Sequence, residues 1–448
     1  MRPTQAKEYP AAMPPVPRLV PVSGSPARAR PDGPSADVDH GPAAVATDAL
    51  RRDGPLPAVL GDAHTVDADV PAAVGRMLEH VLADRLARAG LVDPLFARDL
   101  ADRVARFTQE GGKRVRAQLL WWSLRACGGS DPAAVTAALR TGAALELLQT
   151  CALVHDDVMD RSSLRRGRPS LHADVRVQYA DHAPPDRVGR FGESAAILAG
   201  DLALAWADDL VAETPLPAWT AIVVRRLWSD MRTEMVAGQY LDVQGQTTGA
   251  LSMPRALRAA CLKSALYSVE RPLALGAALA GADDATLKRL CSAGRCVGMA
   301  FQLRDDLDDL FGDPCRTGKT CGGDIREGKP TYLVALARAR AEAAGDRAAL
   351  GVLDRCLGNT GLTLADLDDV RDVLTGTGAR ATVETKIDRL VAQGLRHFDG
   401  AVLDPDTGPR LRTMLGAAAA ASTACGPRPA PGTPASVPRT ACAEESRG

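Results

Sequence analysis

Apolar residues along most of this chain recur at three- and four-residue intervals, the spacing that lines one face of an α-helix. In AALELLQTCALVHDD, Leu145, Leu148, Ala152 and Asp156 form one such stripe, apolar until it ends in a carboxylate. The body is dense in Ala, Leu, Arg, Asp and Glu and has no convincing run of alternating β-branched residues, so it predicts helices rather than strands. The pattern fades at both ends. Residues 1–70 are rich in Pro, Ala, Gly and Asp without a sustained apolar period, and residues 419–448 repeat that character. Both are expected to be disordered tails flanking one helical domain at 71–418, because such segments bury too little apolar surface to offset the entropy of ordering.

Two acidic clusters interrupt this apolar background, DDVMD at 156–160 and DDLDD at 305–309. In each, the first and last aspartates are four residues apart, so a helix places both carboxylates on one face. Two such faces packed together repel unless cations lie between them. With oxygen ligands alone and no His/Cys set at metal-ligand spacing, the favoured ion is hard; Mg²⁺ completes its shell with water and phosphate oxygens, which points to a diphosphate substrate. A single acidic run is commonly a solvated helix face. Two copies of identical spacing, each flanked by Leu, Val, Phe and Ala, fit that simpler reading poorly.

The basic residues add a second line. Only seven of the 54 basic residues are lysine, so arginine serves wherever a generic cation suffices. A surviving lysine suggests a need for a compact ammonium. Lys113 lies in GGKRVR, where paired glycines admit an anion close to the backbone and Lys113, Arg114 and Arg116 offer donors. Lys263 lies beside Ser264 in LKSALYS, and Lys319 and Lys329 frame the glycine-rich GKTCGGDIREGK, which can bend around a phosphate. Lys7, Lys288 and Lys386 read as scattered surface residues. Arg165 and Arg166 follow the first acidic cluster; if helical, they point about 100° apart and could serve two anions. Two diphosphates in one cavity are therefore expected.

ELLQTCALVHDDVMDRSSLRRGRP and GMAFQLRDDLDDLFGD resemble the two aspartate-rich regions of the trans-isoprenyl diphosphate synthases, most closely the bacterial geranylgeranyl diphosphate synthases. GGKRVR, KSALYS, GQYLDV and GKTCGGDIREGKPTYL match in the same order, so the resemblance spans roughly residues 75–400. It implies an all-α bundle of about ten antiparallel helices around a deep cavity, usually homodimeric, using about three Mg²⁺ ions. It further implies that Asp156 and Asp160 bind Mg²⁺ on the allylic diphosphate with Asp157 in support, that Asp305 binds the third ion, and that Asp306 and Asp309 complete the second motif, Asp309 among the metal residues. Arg165, Lys263, Ser264, Lys319 and Lys329 would hold the allylic diphosphate. Lys113, Arg116, Gln149 and Arg166 would hold isopentenyl diphosphate, Gln302 would line the cavity, and Gln239 with Asp242 would support the site.

The chemistry implied is ionisation of the allylic diphosphate to a cation, head-to-tail attack by the isopentenyl double bond, and loss of a proton to the released diphosphate, in a cavity that excludes water. No His or Glu is needed as base; His155, beside Asp156, is expected to pack or orient a neighbour. Product length depends on the helix below Asp156. Cys151 and Ala152, about 6 to 7 Å down at 1.5 Å per residue, are small where farnesyl-making relatives commonly carry an aromatic floor. A geranylgeranyl product is expected, with farnesyl or longer products as alternatives, because Trp121, Trp122 or Leu148 could close the cavity, or the two small residues could simply pack helices. A terpene cyclase and a catalytically silent partner subunit are the other readings, disfavoured by the second basic pocket and by the two whole aspartate clusters.

The net charge of −1 argues against nucleic acid as the main partner. No apolar run approaches a membrane span, and no signal-type apolar core is evident, so stable membrane insertion is not expected. The ten cysteines contain no CxxC and no complementary histidines, consistent with free thiols and a cytoplasmic location.

Overall fold

Among the described residues long helices surround a central one, and several begin where a side chain accepts the unpaired amides of the first turn. The central helix, Pro132–Met159, starts with proline and is capped by Asp131, whose carboxylate accepts the amides of Ala133 and Ala134 at 3.1 and 3.0 Å. It is buried on several faces, with Leu145, Leu147 and Leu148 fully covered. Each such leucine contributes on the order of 2 kcal/mol of burial free energy. The second-cluster helix, Asp284–Phe311, is capped in the same way by Asp283, 2.7 Å from the Thr286 amide.

The computed structural model describes residues 62–249, 251–312 and 321–420, all within one compact unit. Residues 1–61 and 421–448, which hold most of the expected tails, lie outside the described residues, as does Lys319. The all-α expectation holds. Val115–Ala126 packs against Arg271–Leu279, Pro132–Met159 against Pro185–Ala212, and Ala218–Thr248 against Cys261–Glu270. Asp284–Phe311 lies between Cys261–Glu270 and Ala379–Asp399.

The boundary at residue 70 needs correction. Ala63–Ala68 is a helix within the stretch assigned to the N-terminal tail. Asp67 of this helix accepts Trp121 Nε1 at 2.8 Å and pairs with Arg125 at 3.1 Å, so the two contacts order it despite its weak apolar pattern.

Two local departures from plain helix matter for the site. Cys261–Glu270 winds in wide, π-type turns, a form concentrated at functional positions. Glycines on both neighbours permit its close approach: a Cβ on Gly238 would stand 2.2 Å from Lys263 N, and one on Gly298 2.5 Å from Ala265 O. The second departure is a two-stranded ribbon, Leu164–Arg165 paired with Arg168–Pro169, closed by Arg166 and Gly167 at φ 55° and 75°. Positive φ at both turn residues is the tight hairpin geometry whose twist suits the flanking strands. Arg165 and Arg166 therefore diverge because one lies on a strand and the other in a turn, not because of a helical 100° step.

Candidate active site

Asp156 and Asp157 sit in the last turn of the central helix, with Asp160 at its C-cap. Asp305, Asp306 and Asp309 lie on Asp284–Phe311. Two lysines tie the surroundings of these clusters together. Lys263 Nζ stands 3.3 Å from Asp156 and 2.7 Å from Asp242, and Asp242 in turn acts electrostatically on Asp306. Lys329 Nζ stands 3.3 Å from Asp160, 3.5 Å from Asp324 and 2.5 Å from Glu327. Asp324 donates its amide to Asp309 Oδ2 at 3.1 Å, which closes the link from the first cluster to the second. Gln239 also donates to Asp156, at 2.9 Å.

Burial and charge set the carboxyls apart. Asp157 is fully buried; burial pushes its pKa up to about 6 although Arg165 opposes the shift, and the Arg165 Nε donates to Asp157 Oδ1 at 2.8 Å. Its Oδ2 has no hydrogen-bond partner among the described residues. Burial also acts on Asp156, but Lys263, Lys329 and Arg165 outweigh it and hold that carboxyl below the usual range. Asp160 stays raised by burial despite Lys329. Burial, then Asp324, lifts Asp306 well above the ordinary carboxylate range. The neighbouring carboxylates push Lys329 well above its usual value and raise Lys263, against burial in both cases.

The carboxylates thus outnumber the cations among them, and burial leaves several reluctant to ionise. Divalent cations relieve that imbalance, and an all-oxygen donor set with an unpartnered buried oxygen suits Mg²⁺. Among the described residues no three acidic, His or Cys groups already form a coordination shell; the ammonium groups of Lys263 and Lys329 stand between the carboxylates.

The second basic group gathers around the turn before Val115–Ala126. Lys113 is exposed, and Arg114 occupies left-handed backbone at φ 51°, with its guanidinium on the carbonyls of Pro71 and Gln109 at 2.6 and 3.3 Å. Arg116 lies 4.3 Å over the Tyr267 ring, donates to Ser268 Oγ at 2.8 Å and keeps a buried Nε without a partner among the described residues. Gln149 accepts from Tyr267 Oη at 2.8 Å. Arg166 lies 5.8 Å over the Phe107 ring and donates to the Glu110 carbonyl at 3.3 Å.

Other expected residues fall as follows. Ser264 is half-buried beside Lys263. Gln302 donates its amide to Asp306 at 2.8 Å. His155 packs, with Nε2 3.0 Å from the Ile197 carbonyl. Cys151 is buried with Sγ 3.8 Å from His155 Nδ1, whereas Ala152 is half-buried. Trp121 and Trp122 are turned elsewhere, to Asp67 and to the Arg410 guanidinium 4.4 Å over the ring. Asp324, Tyr267 and Ser268 were not singled out from sequence, although all three lie inside motifs that were.

A helical fold with a buried acidic centre, lysines threaded through it and a separate group of arginines has the chemistry to take divalent cations and anionic ligands. Residues 98–360 match the polyprenyl synthetase family. A nonaprenyl diphosphate synthase of Mycobacterium tuberculosis is 33% identical over 65% of this chain and 77% of the relative, and a geranylgeranyl diphosphate synthase of the same organism is 31% identical over 66% and 77%. A geranylgeranyl pyrophosphate synthase of Corynebacterium glutamicum, solved with isoprenyl diphosphate and magnesium, is 34% identical with a TM-score of 0.71, covering 77% of this chain and 98% of that one. The chain belongs to the polyprenyl synthetase family and is a trans-isoprenyl diphosphate synthase, a prenyltransferase acting on isopentenyl and allylic diphosphates. The cyclase and silent-subunit readings give way to this assignment. No described helix is long and apolar enough to cross a membrane.

Proposed function

We propose that this prenyltransferase extends allylic diphosphates to geranylgeranyl diphosphate at the Asp156 and Asp305 clusters, and the observation that carries the reading is the half-buried Ala152 one turn below Asp156. Cys151 and Ala152 leave no aromatic floor at that depth, which favours a product longer than farnesyl diphosphate. The nonaprenyl relative supports a second reading, a longer product still.

Asp156, Asp160 and Asp305 would hold about three Mg²⁺ ions, with Asp309 bracing the set through its contact with the Asp324 amide. Bound there, the ions would neutralise charge developing on the leaving diphosphate. Lys263 and Lys329 exchange carboxylate partners for phosphate oxygens, while Arg165, oriented by Asp157, and Lys319 add donors to the same group. Lys113, Arg116, Gln149 and Arg166 seat isopentenyl diphosphate, and the unpartnered Arg116 Nε is the clearest donor waiting for it. Gln302 keeps Asp306 in place. The packed apolar wall of the central helix excludes water from the allylic cation.

A homodimer is proposed on the exposed apolar side chains of the two helices Pro185–Ala212 and Ala218–Thr248, where Ile197, Leu198, Ile222, Val236 and Tyr240 are 48 to 69% exposed. A cytoplasmic location fits free thiols at all seven described cysteines.

Incubation with isopentenyl and farnesyl diphosphates followed by mass spectrometry tests the product. A twenty-carbon diphosphate is expected, and its absence would overturn the assignment. Asp156→Ala should abolish condensation; unchanged turnover would contradict the metal role.

A further inference from the structure

Glu146 is a buried carboxylate that the reaction outlined above leaves without a task. It lies on the central helix one turn before Gln149, is 7% exposed, and makes no hydrogen bond or ion pair through its side chain among the described residues. Its Oε2 stands 3.4 Å from where a Gly111 side chain would begin, so the glycine pair of GGKRVR leaves it room. Three arginines act on it electrostatically, Arg116, Arg114 and Arg166, while burial disfavours its charge.

Each of these arginines also has a partner other than Glu146. Arg114 is tied to the carbonyls of Pro71 and Gln109. Arg116 and Arg166 approach from different segments: Arg116 stacks on Tyr267, whose hydroxyl donates to Gln149 one turn after Glu146, and Arg166 lies over Phe107 and donates to the carbonyl of Glu110, next to the Gly111 that Glu146 faces. Guanidinium groups gathered near one point repel, and a counter-charge beneath them offsets that repulsion. An anion beneath them, beyond ion-pair distance, draws both inward without occupying the donors a ligand needs. The unpartnered Nε of Arg116 is such a donor.

We propose that Glu146 is a positioning residue of the second diphosphate pocket, holding Arg116 and Arg166 converged on the place that isopentenyl diphosphate fills. This rests on the reading of that pocket given above. The sign of the effect is diagnostic. By charge alone, removing an anion beside an anion site should tighten diphosphate binding; removing a positioning group should weaken it.

The test is steady-state kinetics of Glu146→Gln and Glu146→Asp, with Arg116→Ala as control, varying each substrate in turn. For Glu146→Gln, KM for isopentenyl diphosphate is expected to rise tenfold or more, while KM for the allylic substrate moves less than twofold and kcat is retained. Glu146→Asp should restore part of the loss, and it carries the test alone if Glu146→Gln does not fold. An unchanged or lowered KM for isopentenyl diphosphate overturns the proposal, as does a parallel rise for both substrates accompanied by a fall in Tm. If Arg116→Ala raises that KM and Glu146→Gln does not, the positioning role alone fails. If Arg116→Ala has no effect, the assignment of the pocket itself fails.

Discussion

Gly238→Ala tests whether the packing of Cys261–Glu270 sets the catalytic geometry. The added methyl would lie 2.2 Å from Lys263 N, 2.7 Å from Lys263 Cα and 2.8 Å from the Leu262 carbonyl carbon. All three are backbone atoms, so no side chain can rotate aside; the helices must part by roughly 1 Å, with an overpacking cost of about 1–3 kcal/mol. Lys263 moves with its backbone, and its 2.7 and 3.3 Å contacts with Asp242 and Asp156 stretch. A misplacement of about 1 Å can reduce turnover on the order of 100-fold. The assay pairs kcat with Tm by calorimetry. A large fall in kcat and a Tm lower by roughly 2–10 °C are expected, with far-UV circular dichroism preserved. Wild-type turnover and Tm together would refute the claim that this contact positions Lys263.

Three further outcomes follow from the same geometry. Ala152→Phe should shift the main product from twenty toward fifteen carbons by mass spectrometry, and an unchanged product spectrum would remove Ala152 from chain-length control. In metal-free protein the carboxyl of Asp157 is raised from 3.8 to about 6, so folding takes up a proton across that interval and stability is lost as pH rises through it, by on the order of 3 kcal/mol for this group. Mg²⁺ held by Asp156 and Asp160 beside Asp157 would disfavour that proton by its charge, so its stabilising effect on Tm relative to EDTA should be larger near pH 8 than near pH 5; an equal effect would contradict the metal role of those two carboxylates. Ile222→Asp combined with Val236→Asp should convert a dimer to a monomer in light scattering, and a dimer that persists would place the interface elsewhere.

The long helices were legible because their apolar period is strong, and the aspartate pairs because identical spacing within apolar sequence is rare. Other features depend on contacts that sequence does not display. The π-type turns of Cys261–Glu270 accompany the close approach permitted by Gly238 and Gly298, which are distant in sequence from Lys263 or Ala265. Arg165 and Arg166 looked helical because the RRG turn is short and its positive φ at arginine is uncommon. Ala63–Ala68 was lost in a Pro- and Ala-rich stretch because the partners of Asp67, Trp121 and Arg125, lie more than fifty residues away. Glu146 reads as an ordinary helix residue until the fold surrounds it with arginines.

The most direct test of the central claim, that the facing aspartate clusters jointly capture divalent cations for a diphosphate, is anomalous diffraction from crystals grown with Mn²⁺ and pyrophosphate. Anomalous peaks are predicted about 2.0–2.3 Å from carboxylate oxygens of Asp156, Asp160 and Asp305, with pyrophosphate oxygens completing the shells. Fully occupied pyrophosphate with no manganese at either cluster, or manganese held only on the outer surface, would contradict it.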